Sequence, residues 1–264
     1  MASDDRYASA AAANGGSMTL MEHLVELRQR LTKCAIAVLI GGIVGWIIFP
    51  DVFHFLLQPM VELCKHSSCL LNGHAGNVLN TDPLDPLVTR VKLSAFIGIA
   101  LAMPVLLWQI WRFVAPGLYS NERRYALAFI GPALLLFVGG AAVAYEILPY
   151  SLDWLQSIGG SNFTAAYTAD KFTTLVGWMM LAFGAAFQFP VILVALEVMG
   201  VVNSRQLRHQ WRYWVAGIAV VAGVITPSGD PISFLFMAVP MVFLYGVAIL
   251  IGMLIDWRRR RAAA

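Results

Sequence analysis

The chain is 264 residues long, 59% hydrophobic and 12% charged, with a formal net charge of +3 and a mean hydropathy of +0.71. A soluble domain of this length has too little interior to hide so much apolar surface, so the composition excludes a water-soluble globular protein and identifies an integral membrane protein. No nucleotide loop of the GxxxxGK type occurs and no His/Cys cluster stands at metal-ligand spacing, so neither cofactor, metal nor enzymatic activity is expected.

The first nineteen residues, rich in Ala, Ser, Gly and Asp, read as a disordered tail. Thr19-Leu-Met-Glu22 fits a capping box. Leu20, Leu24, Leu27 and Leu31 then recur at helical spacing with Glu22, Glu26, Arg28 and Arg30 between them, which predicts an amphipathic segment lying at the membrane surface. It runs into a first span at about 34–57. A cleaved signal peptide is the competing reading; the long charged region ahead of the span and the lack of a small-residue cleavage site favour a retained helix. Five further apolar runs follow at 87–114, 125–148, 172–199, 213–225 and 232–257. Most exceed the ~20 residues needed to cross the hydrocarbon. The expected organisation is one all-α, six-span membrane domain over 20–257, with a disordered tail at 1–19 and a basic tail at 258–264.

The cations orient it. Arg6, Arg28, Arg30 and Lys33, then Arg112, Arg123 and Arg124, then Arg205, Arg208 and Arg212, then Arg258 to Arg261 fall on one face, against Lys65, Arg90, Lys92 and Lys171 on the other. The positive-inside rule places both termini in the cytoplasm. The outer connections, about 58–86 and 149–171, are too long for simple turns and are expected to form small external caps with short helices. Cys64 and Cys69 lie on the oxidising side, either bridged or as two free thiols, while Cys34 packs within the first span.

On the inner face, Pro116 and Gly117 break one helix, and Ser120 or Asn121 can cap the next. That puts Glu122 in a first turn, where the helix dipole favours a carboxylate, against Arg123 and Arg124. The fifth run, 213–225, would be only ~20 Å long before the turn formers Thr226-Pro-Ser-Gly-Asp-Pro231. Either the fifth and sixth helices stop short of the outer surface or the bilayer thins there, with a re-entrant hairpin as the competing reading. The expected arrangement is wide, curved and concave, with short fifth and sixth helices. Glu146 and Glu197 sit near helix ends, where snorkelling accounts for them. The most central strongly polar side chain is Gln188, in Phe187-Gln-Phe-Pro190, and an interhelical hydrogen bond explains it. A small-solute or ion-coupled secondary transporter remains the alternative, disfavoured by the lack of midplane carboxylates and of an internal repeat.

Three motifs carry a family resemblance. His23-Leu-Val-Glu-Leu-Arg-Gln-Arg-Leu31 resembles the HLxELRxRL signature of the TatC family. Trp108-Gln-Ile-Trp-Arg-Phe-Val-Ala-Pro-Gly-Leu-Tyr-Ser-Asn-Glu-Arg-Arg124 is similar to that family's first cytoplasmic loop, and Ile225-Thr-Pro with Asp230, Ser233 and Ala238-Val-Pro240 to its last periplasmic turn and final span. The resemblance runs from Leu20 to Ile255. It implies a Sec-independent translocase subunit of the bacterial cytoplasmic membrane that exports folded proteins on the proton-motive force, without ATP. It also implies recognition of twin-arginine signal peptides, a hetero-oligomer with single-span TatA- and TatB-like subunits, contact with membrane lipids and no nucleic-acid partner. Carried over by motif, the peptide site falls on Glu26 and Glu122, with Arg28, Arg123 and Arg124 in support, and the periplasmic turn on Thr226, Pro227 and Asp230. Two positions depart from the family pattern. Gln188 stands where the family often has glutamate, which favours a hydrogen-bonding role over a charged one, and the turn is one residue longer than the common TPPD.

Overall fold

The computed structural model describes residues 20–66, 82–114, 125–159, 168–198 and 202–262. Backbone groups in hydrocarbon find no water, so each apolar run closes its hydrogen bonds internally as helix. The helices are α1 (Leu20–His66), α2 (Asp85–Val114), α3 (Tyr125–Gly159), α4 (Ala169–Ala186), α5 (Phe189–Val198), α6 (Ser204–His209), α7 (Trp211–Ile225) and α8 (Pro231–Ala262). Five stretches among the described residues are long and apolar enough to cross a membrane: Leu24–Pro59, Asp85–Arg112, Ile130–Ile158, Ala169–Val198 and Pro231–Ile255. The shorter apolar helix is α7, at 15 residues.

Several elements differ from expectation. The amphipathic stretch and the first span form one helix of 47 residues, so the stretch continues the spanning helix instead of forming a separate surface segment. Both α1 and α3 run past their expected ends, to His66 and Gly159, through Pro59 and Pro149. The described parts of the outer connections are therefore extensions of spanning helices in place of separate caps; residues 67–81 and 160–167 lie outside the described residues. The final helix is not short: α8 has 32 residues and continues through the Arg258–Arg261 run.

The expected fourth span is two helices, broken at Phe187 and Gln188. Proline has no amide hydrogen, and its ring collides with the carbonyl four residues back. For Pro190 that residue is Ala186, where α4 ends, and Pro190 itself occupies the first turn of α5, where proline is tolerated.

The pair α4–α5 forms the most buried span, through Phe172, Val176, Met179, Phe183 and Leu193, which pack with Leu148 of α3 and Met237 and Met241 of α8. The α1–α2 seam is made by small residues. A Cβ on Gly98 would lie 2.6 Å from the Gly42 amide nitrogen, and one on Gly45 would lie 2.8 Å from the Ser94 carbonyl. At the opposite end of α2 from Arg112, the Arg90 guanidinium lies over the Trp46 ring (4.4 Å) and donates to the Trp46 carbonyl (3.2 Å). Lys92 Nζ meets both carboxylate oxygens of Asp170 at 2.7 and 2.9 Å, fastening α2 to α4.

Candidate functional site

The expected peptide site divides between α1 and the connection from α2 to α3. Glu26 lies on the second turn of α1 and is half-buried. The Arg30 guanidinium, one turn on, pairs with it, Nε donating to Oε1 at 3.1 Å. Its second oxygen is buried, and no described group donates to it. Arg28 is exposed, and its carbonyl accepts from the Thr32 hydroxyl at 2.9 Å. Glu122, Arg123 and Arg124, with the whole of 115–124, lie outside the described residues, as do Thr19 of the expected capping box and Cys69. Cys64 falls in the last turn of α1, and its side chain is likewise outside them; Cys34 is a free thiol.

Gln188 sits at the break between α4 and α5, and its backbone amide has turned from Gly184 to the Ala185 carbonyl (3.0 Å). Its own side chain compensates. Nε2 donates to the Ala133 carbonyl on α3 (2.9 Å) and reaches the displaced Gly184 carbonyl at 3.4 Å. The expected interhelical bond is therefore present, and it repairs a helix break that the sequence reading did not contain.

The α7–α8 turn is a buried polar knot. Thr226 Oγ1 donates to the Ala222 carbonyl (2.6 Å), closing the end of α7. Gly229 takes φ +62°, a left-handed conformation that accommodates the extra residue of this turn. Asp230 is 1% exposed and caps α8, its Oδ1 accepting the Ser233 amide at 2.7 Å. The Ser233 hydroxyl in turn meets that of Ser151 on α3 at 2.6 Å, so the turn is fastened to a helix 82 residues away in sequence. Burial alone would raise the Asp230 carboxyl, but the Ser228 hydroxyl, the Ser233 amide and the Ser233 and Ser151 hydroxyls outweigh it and hold it below the ordinary aspartate value. A depressed folded-state value contributes stability that is present above the unfolded titration and is lost as pH falls through the folded one. The turn should thus stay anchored down to acid pH. Asp230→Ala is expected to cost about 1 kcal/mol, and Asp230→Asn much less, because asparagine caps equally well. Thermal unfolding in detergent checks this; equal losses in the two variants would show that charge, not capping, governs.

Glu197 corrects an expectation. It is 6% exposed and does not snorkel: its carboxylate faces Gly252 of α8, where a Cβ would come within 2.3 Å of Oε2. Glu146 is exposed, on the outer face of α3. Sequence reasoning also missed Ser151, since a lone serine beside Pro149 carries no local signal.

Long apolar helices, a polar residue spanning a helix break and a buried, capped hairpin turn define a multi-pass, all-helical membrane protein. The family model described as "Sec-independent protein translocase protein (TatC)" matches residues 22–240. The Sec-independent protein translocase protein TatC of Xylanimonas cellulosilytica is 35% identical over 265 residues, covering 99% of this chain and 92% of that one. That of Frankia casuarinae is 36% identical over 247 residues, covering 92% of this chain and 68% of its own. A crystal structure of a twin-arginine translocase receptor, TatC, in the detergent DDM superposes with a TM-score of 0.72 at 32% identity, covering 88% of this chain and 99% of that one. The chain belongs to the TatC family, and its function is Sec-independent protein translocation.

Proposed function

We propose that the chain is the receptor subunit of a twin-arginine translocase in a bacterial cytoplasmic membrane. Six spans, α7 among them, form a concave arrangement with both termini in the cytoplasm. Glu26 and Glu122 jointly receive the paired arginines of a signal peptide, supported by Arg28, Arg123 and Arg124. TatA- and TatB-like single-span subunits join it in a hetero-oligomer, and Gln188 and the Thr226, Pro227 and Asp230 turn serve as polar contacts between helices. The proton-motive force drives export of folded cargo, without ATP.

The observation that carries this reading is Glu26: one carboxylate oxygen engages Arg30 while the other is buried with no described donor. A half-buried carboxylate with acceptor capacity to spare suits a guanidinium, whose planar donor fork engages carboxylates in a way that a point-like ammonium does not. The test is binding of a twin-arginine peptide to the purified protein in lipid nanodiscs. Replacing both arginines with lysine should weaken binding at least tenfold; equal affinity for the two peptides overturns the receptor reading.

A further inference from the structure

Beside the α7–α8 turn and apart from the peptide site lies an open apolar groove of about 650 Å³. Its walls come from Met103 of α2, Phe137 of α3 and Trp178, Ala182 and Ala185 of α4, with Pro227 of the α7–α8 turn at one side. We propose that it seats one acyl chain of a phospholipid whose phosphate is held by Lys171.

The argument begins with α4. Lys171, Trp178 and Ala185 are its exposed residues at seven-residue intervals, so they share one face of an otherwise largely buried helix. Two of them line the groove and the third stands ~10 Å beyond Trp178, at the end of the helix. On α2, Lys92 and Met103 share a face in the same way, with Phe96 between them meeting Trp178 edge-on at 5.6 Å. The Phe96 and Trp178 rings therefore lie between the groove and a pair of lysines. Asp170 would repel a phosphate there, but both its oxygens are engaged by Lys92. The net charge of Lys92, Asp170 and Lys171 is positive, and the Lys171 side chain is exposed. An amphiphile with one negative group and a hydrocarbon tail matches both ends.

Charge separates this occupant from an apolar helix: a phospholipid brings an anion for Lys171, and an apolar peptide segment brings none. The volume of the groove lies within the range of sites for small molecules.

Native mass spectrometry of the full chain, extracted from membranes of phosphatidylethanolamine and phosphatidylglycerol and washed with detergent, tests the proposal. The parent protein should retain one phospholipid. Ala182→Phe, which puts a ring into the groove beside Trp178, should lower occupancy severalfold. Lys171→Glu, a change at an exposed side chain, should lower it severalfold, with Lys171→Arg restoring it. No adduct on the parent protein, or equal occupancy in the parent and the Ala182→Phe variant, overturns the proposal. Replacing Trp178 with a photoreactive residue separates the occupants: capture of phospholipid supports it, whereas capture of an apolar peptide with no lipid overturns it.

Discussion

Gly98→Val is expected to cost about 3 kcal/mol or more and to separate α1 from α2. Overpacking in a well-filled interior costs about 1–3 kcal/mol when side chains can yield. Here they cannot. The atoms that a Cβ on Gly98 would meet are the Gly42 amide nitrogen at 2.6 Å, the Gly42 Cα at 2.8 Å and the Val38 carbonyl at 2.9 Å, all backbone. Relief requires moving one helix away from the other, which loses packing along the seam, and packing is what holds helices together where the surroundings are as apolar as the side chains. Even Gly98→Ala should be clearly destabilising. The control is Gly139→Ala on α3, where nothing lies within 4 Å; it should be neutral or slightly stabilising, since alanine exceeds glycine in helix propensity. Thermal unfolding of the detergent-solubilised protein reads both. Comparable midpoints for the Gly98 and Gly139 variants would refute the account of the seam.

The second large effect is on binding. Glu26→Gln, Glu122→Gln should reduce affinity for a twin-arginine peptide by at least tenfold. An exposed i,i+4 pair with Arg30 contributes only ~0.3–0.5 kcal/mol, so if that pairing were the whole role of Glu26, its neutralisation would change little. A carboxylate receiving a guanidinium at a partly desolvated surface contributes about 1.5–3 kcal/mol, which corresponds to roughly tenfold or more. Because Arg30 occupies one Glu26 oxygen and the other is buried, an incoming arginine would have to displace Arg30. Reversing the charge at Glu122 should be worse than neutralising it, and binding should weaken as salt rises. Unchanged affinity in a double variant that remains folded in the membrane would refute the assignment.

Local pattern carried much of this architecture. The bounds of α2 follow from a mostly apolar run between the polar stretch before Asp85 and the Pro116-Gly117 break, and the family followed from motifs at 23–31 and 108–124 in the right order. Prolines account for two of the differences. The third apolar run reads as ending at 148, yet α3 continues through Pro149, because hydrocarbon offers an interrupted helix no better alternative. Pro190, inside an apolar run, does break its helix, and Gln188 beside it is the residue that makes the break tolerable. That a polar group there needs a partner was legible; that the partner is Ala133, 55 residues back, was not, since a one-dimensional pattern holds no record of which helices adjoin. For the same reason Glu197 looked like a residue reaching for water, when Gly252 had left room for it.

The α1–α2 seam has a mechanical consequence. Gly41 and Gly45 lie at the middle of α1, so the closest backbone contact of the longest described helix is a fulcrum with ~35 Å of rod on either side. Pro50 and Pro59 both fall on the far arm, leaving the arm that carries Glu26 free of proline and therefore the stiffer of the two. A tilt of ~5° of the near arm about the glycines would move Glu26 by ~2 Å. The two arms are held unequally: the far one is tied to α3, where the Tyr145 hydroxyl donates to the Phe55 carbonyl and the two rings stack, so the Glu26 arm is the one left to lean.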